Sequence, residues 1–143
     1  LIREHERALA ATDACAHGLP AEARRFASGP STSERLSSRL AAIDAYAQLR
    51  AGDPAGALAR ARALRAEVLA RSGVYVRAML LLTLAEACHA LGDVEGAREA
   101  AREGIAQLGR TLDGASAALS RDIGDFCIVR ELRGLADALG VVG

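Results

Sequence analysis

The fold is decided by residues 74–107, which read VYVRAMLLLTLAEACHALGDVEGAREAAREGIAQ. No Gly or Pro interrupts the first part of this stretch up to Leu91, and Ala and Leu dominate it, so helix propensity is strong there. Gly92 then offers a left-handed helix end, and Asp93 offers an N-cap for a second helix. The stretch is therefore predicted to be a helix–turn–helix hairpin hinged at Gly92-Asp93.

The inward face of this predicted hairpin contains mostly small residues. Its positions fall at helical spacing and are Leu81, Leu84, Ala85, Cys88, Ala97, Ala101 and Gly104. Small side chains allow two antiparallel helices to approach closely. Because a single hairpin buries only one side of itself, it needs stacked neighbours.

The same pattern recurs before residue 74, at Gly52-Asp53-Pro54 and, in a degenerate form, at Gly18. Asp53 followed by Pro54 is an N-cap followed by Pro at the first helical position, which is a strong helix start. The apolar phase before Gly52 predicts that its turn is one residue longer than the turn at Gly92. We predict a single domain with hairpins over about 1–28, 32–72 and 74–110 and a closing segment over 111–143.

The closing segment is predicted to end in a helix that covers the open end of the stack. Gly124-Asp125 is expected to start this helix, which runs to Leu139 with an apolar stripe along one side. Terminal units of a repeat stack must cover an exposed apolar face, so a closing helix is the expected solution.

The hairpin pattern resembles the tetratricopeptide repeat (TPR) family, which has two apolar positions, a small one, a larger one, a turn and then small residues. The residues that carry the resemblance are Leu81, Leu84, Ala85, Cys88, Gly92, Asp93, Ala97, Ala101 and Gly104. Cys88 and Ala101 stand where the family usually has aromatic residues. The resemblance implies an all-α fold, in which antiparallel hairpins stack as a TPR-like right-handed superhelix with a C-terminal closing helix.

Composition excludes several classes of protein. The formal net charge is zero and the sequence pI is about 7.0, which argues against direct nucleic-acid binding. No apolar run reaches membrane-spanning length and no secretion signal is visible. Three cysteines without framework spacing fit a reducing cytoplasm. Because the chain begins at Leu1 and its only Met is Met79, we expect a piece of a longer polypeptide.

Metal and catalytic chemistry are not predicted. Cys15 with His17 and Cys88 with His89 suggest zinc, but residues one or two apart on a helix do not share a face. No CxxC or HxxxH completes a four-ligand set. The sequence also lacks a nucleophile elbow and a Gly-rich phosphate loop after a strand. We expect no enzyme, no metal and no cofactor.

Basic residues form two groups in the sequence, Arg24-Arg25 and the series Arg60, Arg62, Arg65 and Arg71. One interpretation is a solvated face whose aliphatic stems cover small alanines. The other is a patch for an acidic partner segment, or for DNA held by a neighbouring domain.

Two functions of different classes are compatible with this sequence. The first is a binding module that recognises a peptide, a protein segment or a small effector in a concave groove. Within that class we favour the sensor or oligomerisation region of a cytoplasmic transcription regulator, because the spacing from Gly52 to Gly92 exceeds the ~34 residues of the TPR unit. Such longer hairpins resemble the regions attached to bacterial helix-turn-helix regulators. The second is a structural spacer or dimerisation domain without a ligand; a homodimer fits either function.

The predicted ligand site lies on the first helix of each hairpin, which lines the concave side in proteins of the TPR family. Its residues are Met79, Leu82, Glu86 and His89, with Ser38 and Gln48 from the preceding hairpin. Two apolar side chains beside a carboxylate and an imidazole suit a peptide or an amphiphilic effector. The alternative is that Met79 and Leu82 pack on the first or last helix of the same chain. An open groove favours the binding module, and a groove filled by the chain's own tail favours the spacer.

Overall fold

The computed structural model describes residues 34–141, and every regular element in that range is a helix. The helices are α1 (Glu34–Arg50), α2 (Pro54–Arg71), α3 (Val74–Ala90), α4 (Val94–Leu112), α5 (Ala117–Asp125) and α6 (Cys127–Ala138). The predicted all-helical fold is confirmed over this range. The predicted hairpin over 1–28, with its turn at Gly18, lies outside the described residues. None of the six helices combines the length and apolarity needed to cross a membrane.

Helices α1 and α2, and helices α3 and α4, are joined by turns of the same design. Gly52 and Gly92 have φ of 96° and 84°, a left-handed conformation that a residue without Cβ adopts at little cost. The side chains of Asp53 and Asp93 each accept a hydrogen bond from a backbone N–H three residues later, at 3.0 and 2.9 Å. Each turn therefore reverses the chain and also caps the next helix.

The prediction that the Gly52 turn is one residue longer is wrong, because each turn has three residues between its helices. The phase difference behind that prediction has another cause. Leu40 and Ala47 of α1 occupy the same places, relative to their turn, as Leu80 and Ala87 of α3, and all four are buried. Helix α3 buries the face that corresponds to the buried face of α1, and it buries a second face as well. The sequence pattern matched the buried face of α1 to that second face of α3, which displaced the alignment of the two helices by one residue.

Helix α3 lies at the centre of the described structure and packs against α1, α2, α4 and α6. Its middle is buried on all sides, as expected for a helix that is apolar around its whole circumference. The inward residues predicted for the α3–α4 hairpin are all buried: Leu81, Leu84, Ala85, Cys88, Ala97, Ala101 and Gly104. The close approach of these two helices is therefore confirmed.

The core divides into two apolar clusters that meet at α3. One joins α3 to α1 and α6 and includes Ile43, Met79, Leu82, Ile128 and Leu132. The other joins α3 mainly to α2 and α4 and includes Ala61, Val68, Leu81, Ala85 and Ala101. Small side chains dominate the seams of the second cluster, whereas larger aliphatic side chains fill the first.

The closing segment contains two helices instead of one. The predicted start at Gly124-Asp125 is wrong, because α5 ends at Asp125 and the chain breaks at Phe126, whose φ and ψ are −64° and 131°. The Phe126 ring lies 4.5 Å from the Tyr75 ring, centroid to centroid, at the edge of the core. This aromatic contact lies at the bend before α6. Helix α6 packs against apolar residues of α3, as expected for a closing helix.

We predict that two glycines of α4 respond in opposite directions to replacement by alanine. A Cβ on Gly104 would lie 2.8 Å from Cδ2 of the fully buried Leu132, whereas a Cβ on Gly109 would have no neighbour within 4 Å. Gly109→Ala should therefore stabilise the protein by about 0.5–1 kcal/mol. Gly104→Ala should destabilise it by about 1–2 kcal/mol, since overpacking outweighs the gain in helix propensity. Urea unfolding of both variants measures this, and stabilisation by Gly104→Ala would show that α4 and α6 are not closely packed there.

Candidate functional site

The surface predicted to form a ligand groove at Met79 and Leu82 is covered by α6. Met79 is 1 % exposed and Leu82 is 0 % exposed, and both belong to the apolar cluster that contains Ile128 and Leu132 of α6. The prediction that these two side chains line an open groove is therefore corrected. They pack on the last described helix, which was the alternative interpretation.

Ser38 and Gln48, the predicted contributions of the preceding hairpin, are also buried. The Gln48 Nε2 donates a hydrogen bond of 2.6 Å to the Asp53 carboxylate, so this side chain supports the turn between α1 and α2. One turn earlier, Asp44 forms an ion pair with Arg60 of α2. Asp44 and Gln48 thus contact α2 and the turn that precedes it, and they do not line a shared groove with α3.

Glu86 and His89 are the two predicted site residues that reach the surface. The His89 side chain is exposed, whereas the Glu86 side chain is 23 % exposed. The guanidinium of Arg50 lies 3.1 Å from Glu86 and 2.9 Å from Glu131. Because these three residues belong to α1, α3 and α6, the ion pairs join three helices at one place.

Tyr46 completes this group, which we call the Arg50 cluster: Tyr46, Arg50, Glu86 and Glu131. The Tyr46 hydroxyl donates to Glu131 at 3.0 Å and accepts from the Arg50 Nε at 3.1 Å. The Arg50 guanidinium carbon also lies 5.0 Å from the centroid of the Tyr46 ring. The cluster is fully connected and carries one positive and two negative formal charges.

The electrostatics of the Arg50 cluster fit a structural role. Burial raises the pKa of Glu86 above its ordinary value, and this effect exceeds the opposing attraction of Arg50. Burial likewise raises the pKa of the Tyr46 hydroxyl. Within residues 34–141, no three or more His, Cys, Asp or Glu side chains are grouped as a metal site would require. The cluster therefore holds α6 against α1 and α3.

An open cleft lies elsewhere, between α2 and α4, and we call it the α2–α4 cleft. Its volume is about 530 Å³. The floor is apolar and comes from Leu84 and Cys88 of α3 and from Ala100 and Ala106 of α4. Burial raises the pKa of the Cys88 thiol, so the floor presents a neutral thiol and not a reactive thiolate.

The rim of the α2–α4 cleft is charged. It contains three arginines and two glutamates: Arg62, Arg65, Arg102, Glu99 and Glu103. Arg65 of α2 pairs with Glu103 of α4 across the cleft. Among residues 34–141, no ion pair joins Arg62 or Arg102 to a carboxylate. Arg62 also interacts with the neutral Cys88 thiol of the floor, which leaves its positive charge uncompensated.

Sequence reasoning found part of this cleft. Arg62 and Arg65 belong to the basic series identified in the sequence, but Arg60 of that series pairs with Asp44 instead. The α4 side of the cleft was missed because its residues lie outside the inward face predicted for the hairpin. The available signal was Ala100 and Ala106, two small apolar residues among the charges of that face.

We predict that replacing Glu86 by the uncharged glutamine changes how stability depends on pH. A raised folded-state pKa means that the contribution of Glu86 is fully present below the unfolded pKa, about 4.3, and is lost as the pH rises through the folded value. The melting temperature of Glu86→Gln minus that of the parent should therefore be more positive at pH 7 than at pH 4. Glu67→Gln, at an exposed position of α2, is the control for losing one charge. The same difference in melting temperature at pH 4 and pH 7 would contradict a raised pKa for Glu86 in the folded protein.

We also predict that deleting residues 121–143 causes self-association, because the deletion removes α6 and uncovers Met79 and Leu82. Size-exclusion chromatography with light scattering measures this directly. A truncated protein that stays monomeric and melts at the parent temperature would show that α6 is a dispensable appendage.

Comparison with known proteins assigns neither a family nor a function to this chain. Neither protein-family models, nor curated proteins, nor solved structures match this chain. A functional proposal therefore depends on the residues themselves, on the α2–α4 cleft and on the covered surface beneath α6.

Proposed function

We propose that the protein is a non-catalytic binding module that holds a segment of a protein partner in the α2–α4 cleft. The observation that carries this proposal is the combination of an apolar floor with an arginine-rich rim. The partner segment would place an apolar side chain on the floor and acidic side chains against the rim.

The charges of the rim favour this class of partner. Three arginines face two glutamates, and Glu103 is already neutralised by Arg65. Guanidinium groups bind carboxylates in a bidentate geometry, and such charge-assisted hydrogen bonds are stronger than neutral ones. Arg62 and Arg102 are the two groups expected to contact acidic residues of the partner.

The arrangement of the helices supports a TPR-like stack as the scaffold of this module. Two hairpins have equivalent turns, the first helix of the second hairpin packs against both helices of the first, and α6 covers the end. We further propose that the module is the sensor or oligomerisation region of a transcription regulator. The long spacing between Gly52 and Gly92 supports this proposal through the resemblance described above. Cys88 and Cys127 form no disulfide within residues 34–141, which is compatible with a cytoplasmic location.

The second candidate function is a structural spacer or dimerisation domain without a ligand. The observation that favours it is that α6 fills the surface at Met79 and Leu82, where the sequence predicted an open groove. In that case the α2–α4 cleft would be a by-product of helix packing, and its rim charges would only provide solubility.

Peptide selection can decide between these functions. A phage-displayed library of random 12-residue peptides is selected on the full chain, and the affinity of enriched peptides is measured by fluorescence anisotropy. We expect enriched sequences to share an apolar residue flanked by Asp or Glu. The double variant Arg62→Glu/Arg102→Glu should weaken their binding by about 10- to 100-fold, because charge-assisted hydrogen bonds are lost.

The matched control is the charge reversal Arg130→Glu, at an exposed position of α6 outside the cleft. It should leave peptide affinity within about twofold of the parent value, since a distant exposed charge is screened. No enrichment on the parent, or equal loss of binding in both variants, would contradict the α2–α4 cleft as the site and would support the spacer.

A further inference from the structure

A second, smaller pocket lies at the opposite end of the hairpins from the Gly52 and Gly92 turns. It is formed where α2 ends, α3 begins and α4 ends, and its volume is about 300 Å³. The lining residues are Leu69, Arg77, Gln107, Arg110 and Thr111. None of the residues that line the α2–α4 cleft belongs to this pocket.

Two buried polar atoms of this pocket lack a hydrogen-bond partner among the described residues. They are Nε of Arg77, which is a donor, and Oε1 of Gln107, which is an acceptor. Buried polar groups in folded proteins are normally hydrogen-bonded, and exceptions often mark the place of a water, an ion or a ligand. A single ligand that satisfies both atoms must accept one hydrogen bond and donate another.

The charge of the pocket specifies an anion. Arg77 and Arg110 both line it, and none of the lining residues within 34–141 is Asp or Glu. Over residues 34–141, neither arginine forms an ion pair with a carboxylate. The Thr111 hydroxyl donates to the backbone carbonyl of Gln107 at 3.1 Å, which leaves its oxygen lone pairs to accept a hydrogen bond. Two cationic donors and two acceptors therefore line one small pocket.

We propose that this pocket binds a phosphate group, either free or as a monoester. A hydrogen phosphate meets both requirements, because its unprotonated oxygens accept from Arg77 and Arg110 and its P–O–H donates to Gln107. A carboxylate or a sulfate at neutral pH has no proton to donate. The volume of about 300 Å³ also leaves room beside Leu69 for a small ester substituent.

The proton on the ligand gives the proposal a distinctive pH dependence. The second pKa of a phosphate monoester is about 6, so a monoester loses its P–O–H as the pH rises from 6 to 8, whereas inorganic phosphate keeps one P–O–H throughout this range. The affinity for a phosphate monoester should therefore fall at least tenfold between pH 6 and pH 8, whereas the affinity for inorganic phosphate should change little.

Isothermal titration calorimetry of the full chain tests this proposal with inorganic phosphate, sodium sulfate and sodium acetate at pH 6 and pH 8. We expect inorganic phosphate to bind at both pH values, because it keeps a P–O–H donor at each, with sulfate weaker than phosphate and acetate weakest. A parallel titration with O-phosphoserine distinguishes the sources. At pH 6, tighter binding than inorganic phosphate indicates an esterified ligand and weaker binding indicates the free ion, and each supports the proposal; O-phosphoserine that binds equally well at pH 8 would contradict the role of the ligand proton.

Variants assign the binding to the pocket. Arg77→Gln and Arg110→Gln should each weaken phosphate binding by about 10- to 100-fold, through the loss of charge-assisted hydrogen bonds. Arg130→Gln, an exposed arginine of α6, removes the same charge outside the pocket and should leave the affinity unchanged. Gln107→Leu should remove the preference for phosphate over sulfate, and melting curves verify that each variant is folded.

The proposal is overturned if phosphate does not bind the parent chain at millimolar concentration, or if Arg77→Gln and Arg130→Gln bind it equally. Peptide binding in the α2–α4 cleft does not depend on Arg77 or Arg110. If phosphate fails to bind, the proposed peptide-binding function is therefore unaffected. If peptides fail to bind, the proposed phosphate site is likewise unaffected.

Discussion

Burial of α3 on all of its faces is the constraint on which the rest of this structure depends. Its apolar residues occur around the whole circumference, so no single partner helix can cover them. Helices α1 and α2 cover part of the surface, α4 covers the face of small residues, and α6 covers the remainder. Each of these helices buries its own apolar stripe in the process, which is why the described chain is held together around one element.

The covering of α3 by α6 also determines which surfaces remain for a partner. Ile128 and Leu132 occupy the space over Met79 and Leu82, and the Arg50 cluster fixes α6 at the edge of this contact. An ion-paired network with every member connected can hold helices in register, although desolvation limits its net contribution to stability. The predicted groove is therefore part of the core, and only its polar edge at Glu86 and His89 reaches solvent.

Arginine side chains define both of the surfaces for which we propose ligands. In the α2–α4 cleft, Arg62 and Arg102 lie beside an apolar floor, which favours an acidic segment with an apolar anchor. In the smaller pocket, Arg77 and Arg110 lie beside polar atoms, which favours a compact anion with a proton to donate. The same type of cation thus specifies different ligands, because the neighbouring side chains differ in polarity.

The sequence by itself determined the helices, the hairpin turns at Gly52 and Gly92, and the small residues of the α3–α4 seam. These features are local, because Gly and Asp at a turn and small residues at helical spacing act within a few residues or across one short connection. Only the tertiary structure decided which face of α3 meets α6, and so whether Met79 and Leu82 are open or buried. It also brought together residues far apart in the chain, such as Arg62 with Arg102 and Arg77 with Arg110. Because α3 is apolar on every face, the periodicity of its sequence could not show which helix packs against which face.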